Sequence, residues 1–517
     1  ARATELETAT GVAHCAALPT QLYSAAQVRE LDRLAIETHG IPGLRLMKRA
    51  GRAAFDALRA RWPNAGEASS GMRLQVFCGA GNNAGDGYVL AALAAQRCLA
   101  VEVLQVGDPG RLAGDALAAY EFARQEGVTM TPWSATATLT PGVLVDALLG
   151  TGLKGEVREN YAAAIAQVND SGLPVLALDL PSGLCSDTGR ELGCAVRAQM
   201  TMTFIGLKRG LVTGRGPALV GSLRFDDLQV PAAVYDAVAA DVDRLALADQ
   251  LPHLTPRAGD AHKGDFGHVM IIGGDSGYGG AAALAAEASA RMGAGLVSVA
   301  TRPEHVAAIL ARRPELMVAG VTSGQALEPL LERPSVLVIG PGLGQSPWSE
   351  QMLQQAAKTG LPMVVDADAL NLIAAGRLLA DRGPQPQWIV TPHPGEAARL
   401  LHISTAEVQA DRFAAAQALE EKLGTTVILK GAGSVVASGN RLAVCTAGNP
   451  GMASGGMGDL LSGILGALLA QGLPVAEAAT LGVCLHSAAA DRAAAQSGQR
   501  GLLATDLLAP LRELLNS

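Results

Sequence analysis

Residues 449–459, Asn-Pro-Gly-Met-Ala-Ser-Gly-Gly-Met-Gly-Asp, combine glycines with a carboxylate directly before an apolar run at 460–471 that is typical of a helix. Glycines in front of a helix offer backbone N–H groups to phosphate charge. The Asp459 carboxylate beside them can accept a proton from a hydroxyl group. This segment therefore predicts phosphoryl transfer rather than a plain glycine-rich turn.

Other polar segments follow predicted strands in the same half of the chain. Lys430-Gly-Ala-Gly-Ser434 is expected to contact a phosphate or a nucleotide, and Thr-Pro-His393-Pro-Gly-Glu holds His393 between two prolines that fix its backbone. Gly340-Pro-Gly-Leu-Gly344 allows close backbone approach. Asp366 and Asp368 could organise magnesium, but helix capping by Asp368 is an equally good interpretation.

A second glycine-rich segment, Gly79-Ala-Gly-Asn-Asn-Ala-Gly-Asp-Gly87, lies between a predicted strand at 74–78 and a predicted helix at 88–100. A strand, a glycine-rich loop and a helix start form a place where phosphates bind. The segment is neither a G-x-G-x-x-G dinucleotide fingerprint nor a Walker loop. Asn82, Asn83 and Asp86 add amide and carboxylate groups, and three such residues in nine favour ligand binding over simple turn formation.

Two more strand ends in the first half carry the same chemistry. Asp146 closes the predicted strand 143–148 and Asp179 closes Leu-Ala-Leu-Asp, which leads into Pro-Ser182-Gly. The carboxyl ends of parallel strands meet in one crevice, so Asn83, Asp146, Asp179 and Ser182 could share a site. Their oxygens suit a hard cation. Capping of the following helix remains an equal alternative for each aspartate alone.

The elements that must position these residues are short β-branched strands alternating with Ala/Leu-rich helical patterns. This alternation predicts parallel βαβ units. It restarts near residue 269, with strands predicted at 269–272, 296–300, 336–339, 363–366, 388–391 and 426–430. We therefore expect an α/β fold with two three-layer α/β/α domains. The predicted domains are residues 21–228 and 250–517, joined by a linker at 229–249 in which residues 232–247 can form a helix. Residues 1–20 are left out of the fold prediction because the chain starts at Ala1.

Composition excludes several function classes. Lys and Arg (40) against Asp and Glu (48) give a net charge of −8, and aromatic residues make up 3% of the 517, so the chain lacks the features of a nucleic-acid binder. No apolar stretch approaches the ~20 residues that span a bilayer. Seven cysteines without a C-x-x-C pair argue against a disulfide framework or thiolate zinc site. We therefore expect a cytoplasmic enzyme, without membrane or nucleic-acid partners, that forms a homo-oligomer.

The first half resembles the NAD(P)H-hydrate epimerase domain, a Rossmann-like domain, in its G-x-G-N-N-x-G-D-G loop, a strand-end Asp followed by G-x-x-x-K-G, and D-x-P-S-G. One departure is Ala84 where the family usually has Gly. The resemblance implies K⁺ held by Asn83, Asp146 and Ser182, and proton transfer by Asp179 with Lys154 assisting. The implied hydrate-binding residues are Asn82, Asn83, Ala84, Gly85, Asp86, Gly150, Thr151, Gly152, Leu153, Lys154, Gly155, Glu156 and Asp179.

The second half resembles the ribokinase-like superfamily and, within it, the NAD(P)H-hydrate dehydratase branch, through G-P-G-L-G, T-P-H-P-G-E, K-G-A-G-S and G-G-M-G-D. The resemblance implies that Asp459 is catalytic and that ADP, with Mg²⁺, is the co-substrate. The implied hydrate contacts are Ala281, Gly344, His393 and Asp459. The implied nucleotide contacts are Lys430, Gly431, Ala432, Gly433, Ser434 and Gly458.

Together these resemblances predict repair of hydrated nicotinamide cofactors, the substrates NADHX and NADPHX. The first half would interconvert the R and S hydrates, and the second would dehydrate the S form while ADP becomes AMP and phosphate. One alternative is a vitamin or sugar kinase with an added binding domain. Another treats the first half as a ligand sensor. An NAD-dependent dehydrogenase is disfavoured because the G-x-G-x-x-G fingerprint is missing.

Overall fold

The computed structural model describes residues 18–517, which divide into two compact units at Asp243 and Arg244. This division falls inside the predicted linker. Residues 1–17, which include Cys15 and most of the segment left out of the fold prediction, lie outside the described part. Each unit is a parallel or mostly parallel sheet with helices on both faces, which confirms the predicted α/β fold.

The N-terminal unit is built on a sheet of parallel strands. Across the sheet they are ordered Thr129–Pro132, Val101–Gln105, Arg73–Cys78, Gly142–Ala147, Val175–Leu178, Met200–Phe204 and Ser222–Asp226. The strand order reverses between Arg73–Cys78 and Gly142–Ala147. In open parallel sheets, ligands bind in the crevice outside the carboxyl ends of the strands at such a reversal.

Helices cover both faces of this sheet. A large apolar core lies on one face, and a smaller core around Phe77, Leu144 and Ile165 lies on the other. Strands buried on both faces explain the continuous apolar runs seen in the sequence. The α-helices are Ala25–Glu37, Gly43–Arg61, Asn82–Gln96, Gly114–Gln125, Glu159–Asp170, Gly216–Leu219 and Ala232–Asp236.

The predicted linker helix at 232–247 is wrong beyond its first turn. The helix Ala232–Asp236 ends early, and Val242–Leu245 forms a strand instead. Leu22 pairs with Val242 in an antiparallel register and, on its other side, with Leu207 in a parallel one. Val242 is fully buried. Tertiary pairing thus overrides the local helical preference of this Ala-rich stretch.

The C-terminal unit has a mostly parallel sheet, of which the last two strands are antiparallel. Across the sheet the strands are Met317–Gly320, Leu296–Thr301, His268–Ile272, Val336–Ile339, Met363–Val365, Trp388–Val390, Thr426–Leu429, Ser434–Ser438 and Arg441–Cys445. The predicted strands of this half agree with the observed ones to within one residue at each end. Most of their residues are buried, as expected for a parallel sheet between helix layers.

Two long helices form the centre of the C-terminal core. Met457–Ala470 and Val475–Ser497 pack against each other with small side chains such as Ala467 and Ala479. The other α-helices are Leu247–Gln250, Gly279–Arg291, Val306–Arg312, Gly324–Leu327, Pro347–Lys358, Asp368–Ala374, Pro394–Leu401, Thr405–Ala410, Arg412–Leu423 and Leu508–Leu515. No helix in residues 18–517 is long and apolar enough to cross a membrane.

Candidate active sites

A cavity of about 420 Å³ opens in the N-terminal unit beside the point where the strand order reverses. Its wall combines loop residues with four aspartates and one buried lysine. The residues that line it include Asp32, Asn82, Asn83, Asp86, Asp115, Gly150, Thr151, Gly152, Leu153, Asp179 and Lys208. The structure therefore brings most of the predicted epimerase residues to one place.

The predicted loop at 79–87 is a loop only as far as Gly81. The helix starts at Asn82, six residues earlier than predicted, so Asn82, Asn83, Ala84, Gly85 and Asp86 form its first turns. The later glycines are packing positions: a Cβ at Gly85 would overlap the Met47 sulfur, and one at Gly87 would lie 2.5 Å from the Ala147 Cβ. These glycines allow the helix to lie close to its neighbours. In the sequence alone, the same glycines are typical of a loop.

Asp179 is held by a buried lysine that the sequence analysis missed. Its Oδ1 accepts hydrogen bonds from Lys208 Nζ (2.6 Å), Thr203 Oγ1 (3.0 Å) and the Phe204 N–H (3.3 Å). Lys208 is 1% exposed, and its ammonium also donates to Thr203 Oγ1 and to the Phe204 carbonyl. All three donors reach the same carboxylate oxygen, so Oδ2 remains for a ligand.

Lys154 occupies a different environment. It is exposed, is not among the residues that line the cavity, and makes no ion pair in the described part of the chain. Gly155 and Glu156 are exposed as well, whereas Gly150 to Leu153 line the cavity. The structure thus places Lys208 beside Asp179, and the predicted assistance by Lys154 stays a prediction. The signal for Lys208 in the sequence was the pair Lys208-Arg209 directly after the apolar run Phe-Ile-Gly-Leu.

Three residues that line the cavity have left-handed backbones. Asp179 has φ of 68°, Ile205 has φ of 67° and Leu228 has φ of 54°. Asp tolerates this region, but a β-branched residue there is a genuine outlier and costs free energy. The Ile205 carbonyl accepts a hydrogen bond from Tyr235 Oη at 2.6 Å, which helps to hold the conformation. Backbone strain of this kind concentrates at functional sites.

The predicted cation ligands also lie together. Asp146 is 1% exposed, and its carboxylate accepts hydrogen bonds from Ser182 Oγ (2.5 Å), the Ser182 N–H (2.8 Å) and the Leu148 N–H (3.2 Å). Burial raises the pKa of Asp146 to about 6 despite these bonds. Asn83 donates its Nδ2 to the Leu178 carbonyl at 2.7 Å, while its buried Oδ1 has no partner. An unpaired amide oxygen near a buried carboxylate suits a hard cation.

In the C-terminal unit, Lys430 forms the centre of a second charged cluster. Its ammonium donates to Asp366 Oδ1 at 3.0 Å, and Asp366 Oδ2 accepts from Ser462 Oγ at 2.9 Å. Burial acts to lower the pKa of Lys430, but the carboxylates of Asp366, Glu396 and Asp459 outweigh it and raise the pKa. Lys430 therefore stays protonated among these three carboxyl groups.

Asp459 lies in the first turn of the helix Met457–Ala470, which starts three residues earlier than predicted. Its carboxylate makes no hydrogen bond within residues 18–517. Burial first, and then the charge of Asp366, raises the pKa of Asp459 to about 6, against the opposing effect of Lys430. A Cβ at Gly458 would lie 3.0 Å from Lys430 Nζ. Glycine there lets the helix start approach the ammonium, so Lys430, Gly458 and Asp459 share one site.

His393 is the N-cap of the helix Pro394–Leu401. Its Nδ1 accepts hydrogen bonds from the N–H groups of Gly395 (3.0 Å) and Glu396 (3.3 Å), and Glu396 Oε1 accepts from the His393 N–H at 3.0 Å. Nε2 therefore carries the proton, and it lies 3.5 Å from Glu396 Oε2. Burial, then the charges of Lys430 and Arg399, lowers the pKa of His393, so the ring is neutral. Burial raises the pKa of Glu396.

The turn after strand Val336–Ile339 carries the remaining predicted hydrate contacts. The Gly344 N–H donates to Asp368 Oδ2 at 3.1 Å, and a Cβ at Gly342 would lie 3.0 Å from the Ala281 Cβ. Ala281, in the first turn of the helix Gly279–Arg291, thus packs against the turn that carries Gly344. Asp368 is the first residue of its helix rather than the N-cap, which is Ala367. Its carboxylate also accepts from Gln345 and Asn371, so it orders this turn instead of capping a helix.

The turn from Lys430 to Ser434 is braced from beneath by Arg412, which the sequence analysis did not select. Arg412 is 1% exposed, and its guanidinium donates to the Leu429 carbonyl at 3.1 Å and to the Lys430 carbonyl at 3.2 Å. Gly431 has φ of 148°, and a Cβ there would lie 2.9 Å from the same guanidinium. The glycine lets the turn lie directly on Arg412, which fixes the path of Gly431, Ala432 and Gly433.

His486 is a further buried residue that the sequence analysis missed. It lies within the long helix Val475–Ser497, is 6% exposed, and its Nε2 has no partner. Burial and the nearby charge of Lys430 lower its pKa to about 4, so the ring is neutral. It also hydrogen-bonds the backbone of Met457, at the start of the helix that carries Asp459. In an Ala-rich helix it gave no pattern to recognise.

Comparisons with known proteins agree with this division. Residues 269–512 match the family model described as NAD(P)H-hydrate dehydratase, and residues 43–210 match the model described as YjeF-related protein N-terminus. A bifunctional NAD(P)H-hydrate repair enzyme Nnr of Coxiella burnetii is 50% identical over 498 residues, covering 96% of this chain and 100% of the relative. The corresponding Escherichia coli enzyme is 43% identical and covers 96% and 95%.

Solved structures are similar to the C-terminal unit. The ADP/ATP-dependent NAD(P)H-hydrate dehydratase from Bacillus subtilis, co-crystallized with ATP and Mg²⁺, is 27% identical with a TM-score of 0.47. The similarity covers 52% of this chain and 96% of that one. A ribokinase-like superfamily protein from Enterococcus faecalis is 31% identical with a TM-score of 0.49, covering 53% and 96%.

Proposed function

The chain belongs to the bifunctional NAD(P)H-hydrate repair enzymes, and from that premise we propose which residues carry each of its two reactions. It is an enzyme with an epimerase and a dehydratase activity. We assign epimerisation of the R and S hydrates to residues 18–243 and dehydration of the S hydrate to residues 244–517. We likewise propose the reaction steps and the role of each residue.

In the epimerase unit, Asp179 moves a proton at the hydrate. The hydroxyl on C6 of the reduced ring is next to N1, so the nitrogen lone pair can expel it and the hydroxyl can return on the other face. A positioned carboxylate contributes typically about 10²–10⁴-fold to such a step. The supporting observation is that Lys208, Thr203 and Phe204 all bind Asp179 Oδ1, which orients Oδ2.

Asn83, Asp146 and Ser182 would hold K⁺ in this unit. The fit rests on the unpaired Asn83 Oδ1 and on the buried Asp146 carboxylate, which has no cation partner within residues 18–517. When bound, K⁺ would supply a fixed positive charge for the polar groups of the hydrate. Gly150, Thr151 and Gly152 line the same cavity, and their N–H groups can bind the pyrophosphate, whereas the Leu153 N–H donates to the Gly150 carbonyl.

In the dehydratase unit, Asp459 accepts the proton of the C6 hydroxyl, whose oxygen attacks the terminal phosphorus of ADP. The N1 lone pair then expels phosphate to leave an iminium ion at C6–N1, and loss of a proton from C5 to solvent gives NADH or NADPH. AMP and phosphate are the other products. The supporting observation is Gly458, where the absence of a side chain lets the start of the Asp459 helix approach Lys430 Nζ. The ammonium and the helix N–H groups thus converge where phosphoryl charge develops.

The remaining nucleotide and hydrate contacts follow from the same geometry. Lys430 to Ser434 and Gly458 would contact ADP, which we expect to bind with Mg²⁺. His393 can donate from Nε2 to the hydrate, and Ala281 and Gly344 would shape the neighbouring turn. We also propose a cytoplasmic homo-oligomer; the free cysteines in the described part of the chain are consistent with a reducing compartment.

One experiment tests both activities. The purified chain is incubated with mixed R and S NADHX, ADP, Mg²⁺ and K⁺ while NADH absorbance and AMP release are followed together. We expect both epimers to be consumed, with AMP equal to NADH. Conversion that stops at the S fraction would contradict the epimerase assignment, and NADH without AMP would contradict the phosphoryl-transfer route.

A further inference from the structure

Asp86 lines the epimerase cavity together with Asp179 but is bound differently. It lies in the first turns of the helix Asn82–Gln96, on the other side of the strand-order reversal from Asp179. Its carboxyl group makes no hydrogen bond within residues 18–517, whereas one oxygen of Asp179 accepts three. The cavity therefore presents one carboxyl group that accepts three hydrogen bonds, Asp179, and three that make none within residues 18–517, Asp32, Asp86 and Asp115. Of these, Asp86 lies close enough to Asp179 for the charge of that carboxylate to raise its pKa.

The charges around Asp86 favour its protonated form. Asp32 from the helix Ala25–Glu37, Asp115 from the helix Gly114–Gln125, and Asp179 face the same cavity; the cations there are Arg29 and Lys208. Within residues 18–517, Lys208 donates its hydrogen bonds to Asp179, Thr203 and Phe204. Burial, and then the charge of Asp179, raises the pKa of Asp86 well above its usual range. Neighbouring carboxyl groups in one cavity tend to share a proton.

We propose that Asp86 is a second catalytic residue of the epimerase, exchanging protons with the C6 hydroxyl on the ring face opposite to Asp179. This inference rests on the proposed epimerase function. Epimerisation removes a hydroxyl from one face of a ring and restores it on the other. A side chain fixed on a rigid helix or strand end serves one face, so two groups from different elements meet the need of the reaction.

The proton and the bonding electrons move in two stages. Asp86 gives its proton to the C6 hydroxyl, the C6–O bond breaks and water leaves with the bonding pair, and the N1 lone pair forms the C6–N1 double bond of an iminium ion. A water molecule then forms a new C6–O bond on the opposite face, and Asp179 takes the proton that this water releases. Proton exchange with solvent restores the starting state. In the reverse direction the two carboxyl groups exchange roles.

Asp86→Asn in the full chain tests this proposal, with the exposed Asp170→Asn as the matched control on the same unit. We expect kcat for epimerisation to fall about 10²-fold or more in D86N. The dissociation constant of the hydrate should stay within about threefold of the wild-type value, because the lost interaction is made only in the transition state. The dehydratase rate on pure S hydrate reports whether the variant chain is intact, and D170N should match wild type in every assay.

Two further readouts separate catalysis from binding. The wild-type rate should fall as the pH rises through the titration of Asp86, because the acid must carry its proton, and D86N should lack this limb. In ¹⁸O-labelled water each epimerisation should place one solvent oxygen on C6. Wild-type kcat in D86N, a loss confined to affinity, or epimerisation without solvent oxygen would overturn the proposal. Wild-type chain that does not epimerise would instead overturn the proposed function.

Discussion

Both units pair a lysine with an aspartate at the carboxyl ends of their strands, but the pairs serve different carboxylates. In the N-terminal unit Lys208 binds Asp179, the proposed proton-transfer group, at 2.6 Å. In the C-terminal unit Lys430 binds Asp366 at 3.0 Å, and the proposed proton-transfer group, Asp459, makes no hydrogen bond in the described part of the chain. A similar pair thus orients the reacting carboxylate in one unit and holds the cation in the other.

The difference follows from the two reactions. Proton transfer at a neutral ring needs an oriented carboxylate, which three donors on one oxygen supply. Phosphoryl transfer needs a cation that faces the transferred group, so Lys430 is anchored by Asp366 while its charge reaches Asp459 and Gly458. A lysine–aspartate pair in a cleft therefore indicates its role only when its hydrogen bonds are known.

The largest expected effect comes from Lys208→Met, which breaks the pair in the N-terminal unit. Losing the ammonium removes one of the three donors to Asp179 Oδ1 and leaves the partly buried carboxylate without its cation, so epimerisation should fall about 10²-fold or more. The unit should also lose about 3 kcal/mol of unfolding free energy, the lower end for broken buried pairs. Rates and urea unfolding measure both.

Lys154→Met is the matched comparison for Lys208→Met. The exposed Lys154 side chain should leave the unfolding free energy within about 0.5 kcal/mol of wild type. If instead K154M lost more epimerase activity than K208M, the assignment of Lys208 as the residue that positions Asp179 would be wrong.

Asp459→Asn should impair the reaction of the C-terminal unit and spare that of the N-terminal unit. Dehydration should fall at least ~10²-fold because the general base is lost. Epimerisation should be unchanged. The wild-type dehydration rate should rise with pH through about 6, the pKa of Asp459, because the base acts only when ionised. Near-wild-type turnover by D459N, or a wild-type rate independent of pH in that range, would remove Asp459 from the mechanism.

A smaller effect should come from exchanging K⁺ for a large organic cation at constant ionic strength. The raised pKa of Asp146 means that its ionised form lowers the stability of the N-terminal unit as the pH rises from about 4 to about 6. A cation at Asn83, Asp146 and Ser182 offsets that cost. Above pH 7 we expect K⁺ to raise the unfolding free energy by about 1–3 kcal/mol. Asp146→Asn should remove the dependence, and a K⁺ effect that persists in D146N would place the cation elsewhere.

The smallest effect distinguishes two roles of His393. His393→Ala removes the N-cap of the helix Pro394–Leu401 and should cost about 1 kcal/mol. His393→Asn keeps a capping side chain and should cost little stability, but it replaces the Nε2 donor. If His393 contacts the hydrate, both variants should raise KM for dehydration alike. A normal KM in H393N would limit His393 to capping.

Strand positions were predictable because buried parallel strands are continuous apolar runs with few alternatives. Val336–Ile339 was predicted residue for residue, and the neighbouring strands to within one or two. The failures arose where tertiary contacts decide. The glycines of 79–87 indicated a loop, but two of them let a helix pack against Met47 and Ala147. Residues 242–245 looked helical and form a strand because Gln21 and Leu22 pair with them.

Site residues at strand ends could be predicted because the topology of a parallel sheet brings them to one edge. Asn83, Asp146 and Asp179 all emerged in this way, whereas Asp459 emerged from the glycine-rich segment in front of its helix. Lys208, Arg412 and His486 did not emerge, because each acts from inside the packed layers and has no motif of its own. Their only signal was a charged or imidazole side chain within or beside an apolar stretch. Many such residues in other chains have purely structural partners.

Ile205 has a consequence for anyone who wishes to make this enzyme more robust. Its left-handed backbone, with φ of 67°, carries a cost that glycine would not. Ile205→Gly would relieve that cost of about 1–2 kcal/mol, but it would also delete a side chain that is 7% exposed and belongs to the core of the unit. Loss of a buried isoleucine side chain costs about 2 kcal/mol or more, so this substitution would not raise heat resistance. Because the segment leads directly through Gly206 and Leu207 to Lys208, the strained backbone and the buried side chain at 205 together keep the partner of Asp179 in place.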